Sequence, residues 1–309
     1  MAFTLNMSDT AAVDDSIVLE YDQQFIIAAG AEGVMDQFVS YKKDIGAKSI
    51  QIPKYSRLAL ATTPLTEDED VTSEALVDSK VTFTPAEYGN VITTTSLANL
   101  QTGGVADLSA ARLVGKNMGQ TMNKLAVLAA EGSANELFPG SVASEAALVA
   151  GDVMTATFLN RLYNKLSRSS VAPLSEGMFV AVMHDDVIHD LRDSVGAGSW
   201  VDVNKYARPE EVLRNEIGML NGFRIIKDNL ISVNTDAGAA AVDSYHSIFL
   251  GENALGKAVS QLPQMVLSGP FDKLNRFLNF GFKMTLDYGI LDQDALYTGT
   301  TASSVGVNV

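Results

Sequence analysis

The sequence lacks cysteine altogether, and its 309 residues include only three histidines and one tryptophan. Without cysteine there can be neither a disulfide nor a thiolate metal site, so stability has to come from packing, hydrogen bonding or association. Basic residues are scarce as well: 22 Lys and Arg stand against 37 Asp and Glu, a formal net charge of −15. Such a surface repels nucleic acid and anionic lipid at long range, which argues against a nucleic-acid reader.

Long apolar runs are also missing. No stretch approaches the ~20 apolar residues that a membrane span needs. Residues 1–15 do not show the basic segment and apolar run of a secretory signal. These absences predict a soluble protein that is made in the cytoplasm and has no membrane partner. The length and the 47% hydrophobic content allow one large domain or two smaller ones.

The sequence contains few residues in the patterns typical of catalytic, cofactor-binding or metal-binding sites. His184 and His189 are five residues apart, so they do not form an i, i+4 metal pair, and structural roles are favoured for both and for His246. Residues 196–198 lack the third glycine of a dinucleotide fingerprint. No P-loop, nucleophile elbow or calcium loop is present. The sequence therefore predicts no catalytic, cofactor-binding or metal-binding residues, and it argues against an enzyme.

Residues 46–102 have the composition of an extended arm. Residues 48–60 alternate partly between apolar and polar side chains, and residues 80–95 are rich in Thr, Val, Ile, Phe and Tyr, which suit half-exposed strands. The segment between them is too long for a tight hairpin turn. The pattern predicts a protruding β-arm with a mobile tip, and a disordered surface loop is the alternative. The acidic cluster in the middle consists of Glu67, Asp68, Glu69 and Asp70.

The helix that the sequence indicates most clearly covers residues 107–131. Asp107 is the predicted N-cap, and no proline interrupts the segment. Spacings of three and four place small and apolar residues on one face, whereas Asn123 is predicted on the opposite, polar side. At 1.5 Å per residue the helix spans roughly 35 Å and can form the spine of a domain. The predicted apolar face consists of Leu108, Ala111, Gly115, Met118, Met122, Leu125 and Ala129.

The rest of the chain mixes helices and strands without a β-α-β rhythm, which predicts an α+β fold. Asp185 or Asp186 is the predicted cap of one helix, and Asp292 with Asp294 is interpreted as a solvated turn. Trp200 is expected to anchor a core or an interface. Helices are predicted at 155–167, 185–194 and 208–215, strands at 177–183, 223–226 and 245–250, and extended segments at 274–287 and 295–302.

Five local phrases, spread in order from about residue 45 onward, resemble the major capsid proteins of tailed phages, which have the Hong Kong 97 type fold. The order of elements is similar too: an N-terminal arm, a long two-stranded arm, a spine helix, a compact α+β region and closing strands. The phrases are TPAEYGN at 84–90, MHDDV at 183–187, IGMLNGFRII at 217–226, FLGENAL at 249–255 and YGILDQDA at 288–295.

The resemblance implies a shell subunit with five regions. Pentamers and hexamers of it would form the icosahedral head shell of a virion around phage double-stranded DNA, which is enclosed without sequence-specific binding. The candidates for contacts between subunits are Glu67, Asp68, Glu69, Asp70 and Trp200. The implied regions are an N-terminal arm (1–45), an extended β-arm or E-loop (46–102), a spine helix and peripheral domain (103–149), an axial domain (150–265) and return strands of the peripheral domain (266–309).

The early start of the spine helix leaves no room for the N-terminal scaffolding segment that many capsid proteins carry. The expected partners are therefore a separate scaffolding protein and a portal, and assembly without any scaffolding protein is the alternative. A decoration protein is an optional further partner. The Lys and Asn that some relatives cross-link covalently have no match here. Two alternatives remain: an encapsulin-like nanocompartment shell of the same fold, which would load cargo enzymes, and a soluble hydrolase with a dispersed active site.

Overall fold

The computed structural model describes most of the chain from residue 33 onward. The predicted helix at 208–215, Trp200 and Glu69 lie outside the described residues. Among the described residues no helix is long and apolar enough to cross a membrane. The described ranges are 33–43, 48–55, 58, 60–65, 67–68, 70–71, 73–169, 171–174, 177–194, 216–270, 272–274 and 276–305.

The helices and strands alternate irregularly along the chain. The helices are α1 (Ser96–Gln101), α2 (Val105–Glu131), α3 (Ala156–Arg168) and α4 (Asp185–Asp193). Short 3₁₀ turns cover Met35–Phe38, Glu145–Ala147 and Gln293–Ala295. The strands are β1 (Ser40–Lys43), β2 (Ile50–Tyr55), β3 (Asp78–Phe83), β4 (Ala86–Thr95), β5 (Glu136–Leu137), β6 (Phe179–Met183), β7 (Glu216–Leu220), β8 (Phe223–Lys227), β9 (Val233–Asn234), β10 (Ser244–Leu250), β11 (Leu255–Ser268), β12 (Phe277–Ile290) and β13 (Leu296–Thr301).

Within the described ranges these strands form three sheets. One has the order β1-β11-β12-β4, and its centre is the long antiparallel pair of β11 and β12. A larger sheet has the order β5-β13-β10-β6-β8-β7, with β9 paired to β10. The third contains only β2 and β3. This mixture confirms the predicted α+β class.

Helix α2 connects the two larger sheets through one apolar core. Its buried residues belong to the same cluster as Phe280 and Met284 of β12 and as Val180 and Val182 of β6. The next residue along β6, Ala181, belongs to a second cluster with the buried faces of α3 and α4. Because neighbouring side chains of a strand point to opposite faces, the larger sheet is covered by α2 on one side and by α3 and α4 on the other.

The spine helix matches the predicted span within two residues, but its start differs. Gly104 occupies the N-cap position with φ at 91°, a left-handed conformation that glycine adopts without strain. Asp107 lies in the first turn instead, where it is buried and accepts a 2.7 Å hydrogen bond from Thr94 Oγ1. The predicted cap was wrong because this carboxylate pairs with β4, and sequence spacing does not report that contact.

The buried face of α2 is also rotated from the predicted one. Ala111, Gly115 and Met118 are buried as predicted, but Asn123, predicted on the polar side, is fully buried. Its Oδ1 accepts from Met35 N at 2.8 Å and its Nδ2 donates to Asp228 Oδ2 at 2.6 Å. The prediction failed because it treated asparagine as a surface residue. A buried amide is compatible with a core when its oxygen and its nitrogen both have hydrogen-bond partners.

The extended segments were located less accurately than the helices. Residues 80–95 were predicted as one run, but the chain turns at Thr84 and Pro85, so that β3 and β4 belong to different sheets. Strand β11 was not predicted, and the segments predicted at 274–287 and 295–302 correspond to β12 and β13. The predicted helix at 155–167 is α3, capped by Thr155, whose Oγ1 accepts from Phe158 N. The strands predicted at 177–183, 223–226 and 245–250 correspond to β6, β8 and β10.

We expect Asn123→Ala to lower the free energy of unfolding by about 2–3 kcal/mol, because two buried polar groups lose a partner. Urea unfolding of the unassembled subunit measures this. Arg112→Ala, at an exposed position of the same helix, is the matched control and should stay within about 0.5 kcal/mol of the wild type. Equal losses for the two variants would contradict the role assigned to Asn123.

Candidate assembly interface

The β-arm consists of a two-stranded sheet that stands apart from the two larger ones. Strands β2 and β3 pair antiparallel, with Ile50 opposite Phe83 at the base and Tyr55 opposite Asp78 at the far end. The predicted run at 48–60 is therefore paired with the first part of the run at 80–95, whereas the rest of that run is β4, which pairs with β12. Most side chains of both strands are exposed, and only Ile50 and Phe83 are buried.

The base of the arm is held by a small apolar contact, which we call the arm joint (Ile50, Phe83 and Ala258). These three residues form a separate buried cluster, with Leu291 packed against it. A Cβ on Gly289 would lie 2.8 Å from Phe83 Cε1, so glycine at this position of β12 makes room for the aromatic ring. The joint therefore fixes the arm to the β11–β12 pair.

Polar contacts surround the arm joint. Lys54 Nζ lies 2.7 Å from Asp292 Oδ1, and Thr84 N donates to Asp287 Oδ2 at 2.8 Å. Asp292 also accepts from Asp294 N and caps the 3₁₀ turn that follows. The interpretation of Asp292 as part of a solvated turn is therefore incomplete, because its carboxylate also pairs with a lysine of the arm.

Beyond β2 the arm exposes large apolar side chains. Leu60 is 87% exposed and Leu65 is 78% exposed. A two-stranded sheet has no interior in which to bury them, so these apolar side chains stay in contact with water. The other exposed large apolar residues of the segment are Leu58, Val71, Leu76 and Val77.

The acidic tip of the arm is the cluster Glu67, Asp68, Glu69 and Asp70. Glu67, Asp68 and Asp70 are exposed. The backbone N–H of Val71 donates to Asp70 Oδ1 at 2.9 Å. The described acids are thus accessible for contact, while their role between subunits, like that of Trp200, stays a prediction.

Sequence reasoning missed a second exposed apolar surface near the start of α2. Leu97 and Leu100 of α1 are exposed, and so are Val105 and Leu274. The signal in the sequence is a pair of leucines at i, i+3 in a segment that ends at Gly103 and Gly104, which is too short to bury them. This surface and the arm leave apolar area uncovered in a single copy of the chain.

The segment before β1 is anchored by buried polar contacts. Asp36 Oδ1 lies 2.7 Å from Lys257 Nζ and accepts from the Tyr288 hydroxyl at 2.8 Å. Burial and the Asp36 carboxylate raise the pKa of the Tyr288 phenol, so it stays protonated and donates. Residues 33–43 of the predicted N-terminal arm are thereby fixed on the body of their own chain.

The histidines take part in local structure. His184, and not Asp185 or Asp186 as predicted, caps α4, because its Nδ1 accepts from Asp186 N at 3.3 Å. His246 Nε2 lies 3.4 Å from Glu145 Oε1 and 2.9 Å from Asn234 Nδ2. Among the described residues no group of three or more His, Asp or Glu could hold a metal ion.

Glu145 ties the connector after α2 to the edge of the larger sheet. Its carboxylate accepts from Ser244 Oγ and from Asn234 Nδ2. Burial raises the pKa of Glu145, but these hydrogen bonds and the neighbouring His246 outweigh burial and leave the pKa below its ordinary value. The carboxylate is therefore the form that the folded chain stabilises.

Comparison with known proteins finds similarity in structure and not in sequence. No protein-family model matches the chain, and no curated protein matches its sequence. A chain from the capsid of Ralstonia phage GP4 is 16% identical with a TM-score of 0.72, over 89% of this chain and 90% of that chain. A chain from the capsid of cyanophage Pam1 is 16% identical with a TM-score of 0.65, over 86% of this chain and 89% of that one.

A virus-like particle from Pyrococcus furiosus is also similar, at 13% identity and a TM-score of 0.55, over 91% of this chain and 97% of that chain. The chain has the Hong Kong 97 type fold of tailed-phage capsids, which confirms the predicted architecture. At these identities the likeness defines the fold, and the assembly that the chain forms is a separate question.

We expect Phe83→Ala to loosen the arm from the body, because a large buried side chain is lost from a joint of three residues. Amide hydrogen exchange at Ile52 and Val81 should become at least about tenfold faster. Tyr55→Ala, which removes an exposed ring from the same sheet, is the control and should leave both rates unchanged. Unchanged exchange in Phe83→Ala would show that the joint does not hold the arm.

The lowered pKa of Glu145 predicts a pH-dependent contribution to stability. The group adds stability above its unfolded pKa of about 4.3, and that stability is lost as the pH falls through the lower folded pKa. We expect Glu145→Gln to be less stable than the wild type by about 1 kcal/mol at pH 7. The difference should shrink below about pH 4.

Thermal unfolding of the Glu145 variant and the wild type between acidic and neutral pH measures this difference. Glu252→Gln, at an exposed acid, should show no comparable change with pH. A Glu145 effect that is constant across the whole range would rule out the assigned linkage.

Proposed function

We propose that this chain is the major capsid protein of a tailed bacteriophage, which assembles into pentamers and hexamers of an icosahedral head shell. The observation that carries the proposal is the arm: it exposes Leu60, Leu65 and their apolar neighbours on a fold whose solved relatives include phage capsids. A neighbouring copy that covers this surface would turn an unfavourable exposure into binding free energy.

Open strand edges support the same proposal. In the described residues β2 and β3 pair only with each other. The outer edge of each strand therefore has no neighbouring strand there. Such edges are hazards in a monomer and become useful when another chain pairs with or covers them. Many modest contacts of this kind, acting together, can hold a shell without one large interface.

The regions implied by the resemblance fit this proposal. The segment 1–45 would be the N-terminal arm, 46–102 the E-loop and 103–149 the spine and peripheral region. Residues 150–265 would form the axial domain, and 266–309 the return strands. In this assignment the acidic tip (Glu67, Asp68, Glu69, Asp70) and Trp200 contact neighbouring subunits.

The partners follow from the same proposal. The shell would enclose double-stranded DNA without sequence-specific binding, since the net charge of −15 opposes tight binding of duplex to the subunit. A separate scaffolding protein, a portal and a decoration protein would complete the virion. The protein would be made in the host cytoplasm and would act as a structural component rather than as an enzyme.

A second candidate function is an encapsulin-like nanocompartment shell. The observation that favours it is the likeness to the virus-like particle from Pyrococcus furiosus, with coverage of 97% of that chain. The TM-score of 0.55 is lower than the 0.72 and 0.65 of the two phage capsid chains. We therefore place the phage capsid first.

We expect negative-stain electron microscopy of the purified protein, or of the lysate that produces it, to show closed polyhedral particles or rings of five and six. A variant with Leu60→Ser, Leu65→Ser and Leu76→Ser should keep its circular dichroism spectrum but yield about tenfold fewer particles, because apolar area buried between copies is lost. Thr63→Ser, which replaces a polar residue of the same segment by another polar residue, is the control and should assemble like the wild type.

The contents of the particles separate the two candidates. Nuclease-resistant double-stranded DNA supports the phage capsid, and a co-purifying enzyme supports the nanocompartment. Monomers that also fail to assemble with a scaffolding protein would contradict both and would favour the hydrolase hypothesis.

A further inference from the structure

Helix α3 carries an unusual charge pattern for this chain. It has no Asp or Glu in its 13 residues, although the chain as a whole has a net charge of −15. One face, with Phe158, Leu159, Leu162 and Leu166, is buried against the larger sheet. The opposite face is exposed. It consists of Thr157, Asn160, Arg161, Asn164, Lys165 and Arg168.

The three cations of this exposed face, which we call the basic face (Arg161, Lys165 and Arg168), have no acidic partner among the described residues. Arg161 donates to the carbonyl oxygens of Phe138 and Gly140 at 3.3 and 3.0 Å, so its side chain is positioned. Elsewhere most cations with a described partner pair with a carboxylate of their own chain. These are Lys54, Lys227, Lys257, Arg276 and Lys283.

The helix itself does not require this pattern. Lys165 and Arg168 lie in the last turn, where cations interact favourably with the macrodipole. That interaction explains why they are tolerated at the end of α3. Arg161, in the middle of the helix, binds the carbonyl oxygens of Phe138 and Gly140. None of these contacts requires the exposed face to lack acids, and a partner with negative charge accounts for that lack.

The spacing of the basic face suits a short acidic segment. Its residues are at i, i+4 and i+7, so they line one side of the helix over about 10 Å. The acidic tip has Asp or Glu at four consecutive positions. Glu67, Asp68 and Asp70 are exposed. No Lys or Arg occurs between Arg57 and Lys80. The two segments are thus opposite in charge.

The two matched segments belong to different parts of the fold. The arm is fixed at β11 and β12 of the four-stranded sheet, whereas α3 covers the larger sheet. No hydrogen bond or ion pair joins them within the described residues of one chain. A ring of identical copies needs two different surfaces that meet between neighbours, and these two fulfil that requirement.

We propose that the acidic tip of the β-arm of one copy docks on the basic face of α3 of a second copy. This inference rests on the proposed function, because it assigns a contact within the shell. Exposed charge pairs are individually weak and are screened by salt. Repeated in every copy they would bias how neighbours meet, in addition to the apolar contact of the arm.

The test reverses the charges on one side and then restores complementarity on the other. Lys165→Glu with Arg168→Glu should reduce the yield of assembled particles about tenfold at low salt, since attraction becomes repulsion at many equivalent contacts. Adding Glu67→Lys with Asp68→Lys should restore the yield. Lys165→Arg with Arg168→Lys keeps the charges and should assemble like the wild type.

A second compensation separates local pairing from net charge. Asp193→Lys with Glu252→Lys, at exposed acids outside the arm, restores the same net charge and should not rescue the α3 variant. Rescue by both compensations, or normal assembly of the α3 variant, overturns the inference. Normal particles that retain less DNA would assign the basic face to duplex DNA and would overturn it as well.

The absence of cysteine allows a direct test of proximity. Asp68→Cys and Lys165→Cys proteins are mixed, assembled and oxidised, so that only a contact between copies yields a mixed disulfide dimer. Each variant alone is the control. Assembled particles without mixed dimers overturn this inference and leave the proposed function standing, whereas a wild type that never forms particles under any condition defeats the proposed function itself.

Discussion

A two-stranded sheet has no interior, and this constraint governs how the arm relates to the rest of the molecule. β2 and β3 can bury apolar side chains only where they meet the body, at Ile50 and Phe83. Everything beyond Tyr55 has to be covered from outside the sheet or stay in water. Within the described residues of one chain, the body does not cover the exposed apolar side chains of this part of the arm.

The body, by contrast, is complete within one chain. Helix α2 shares one core with both larger sheets, so these sheets are fixed relative to each other by apolar packing. Asn123 extends this core to the segment before β1, because one amide side chain pairs with Met35 N and with Asp228. Burial raises the pKa of Asp228, although its hydrogen bonds act in the opposite direction. A packed body and an incompletely buried arm are what the proposed shell subunit requires.

Elements that follow from local sequence patterns were predicted correctly. The predictions failed for residues whose position depends on a partner that is distant in the sequence. The span of α2 and the strand character of the arm follow from periodicity and composition, and both agree with the structure. Asp107 and Asn123 were misplaced because their partners, Thr94 and Met35, are not their neighbours in the helix. β11 was missed because Pro263 and Gln264 interrupt its apolar run, and its strand conformation depends on β1 and β12 on either side. The predicted contact residues are exposed where they are described, but contact between copies is a property of the assembly.

In the proposed shell, the charge of the chain limits which contacts can hold neighbouring copies together. Each copy adds a net charge of −15, so neighbouring copies repel each other. At physiological ionic strength the screening length is about 8 Å, so this repulsion acts mainly between charges that face each other at a contact. Stable contacts must therefore be apolar or must place the few basic residues opposite acids. The exposed leucines of the arm meet the first condition, and the basic face of α3 meets the second.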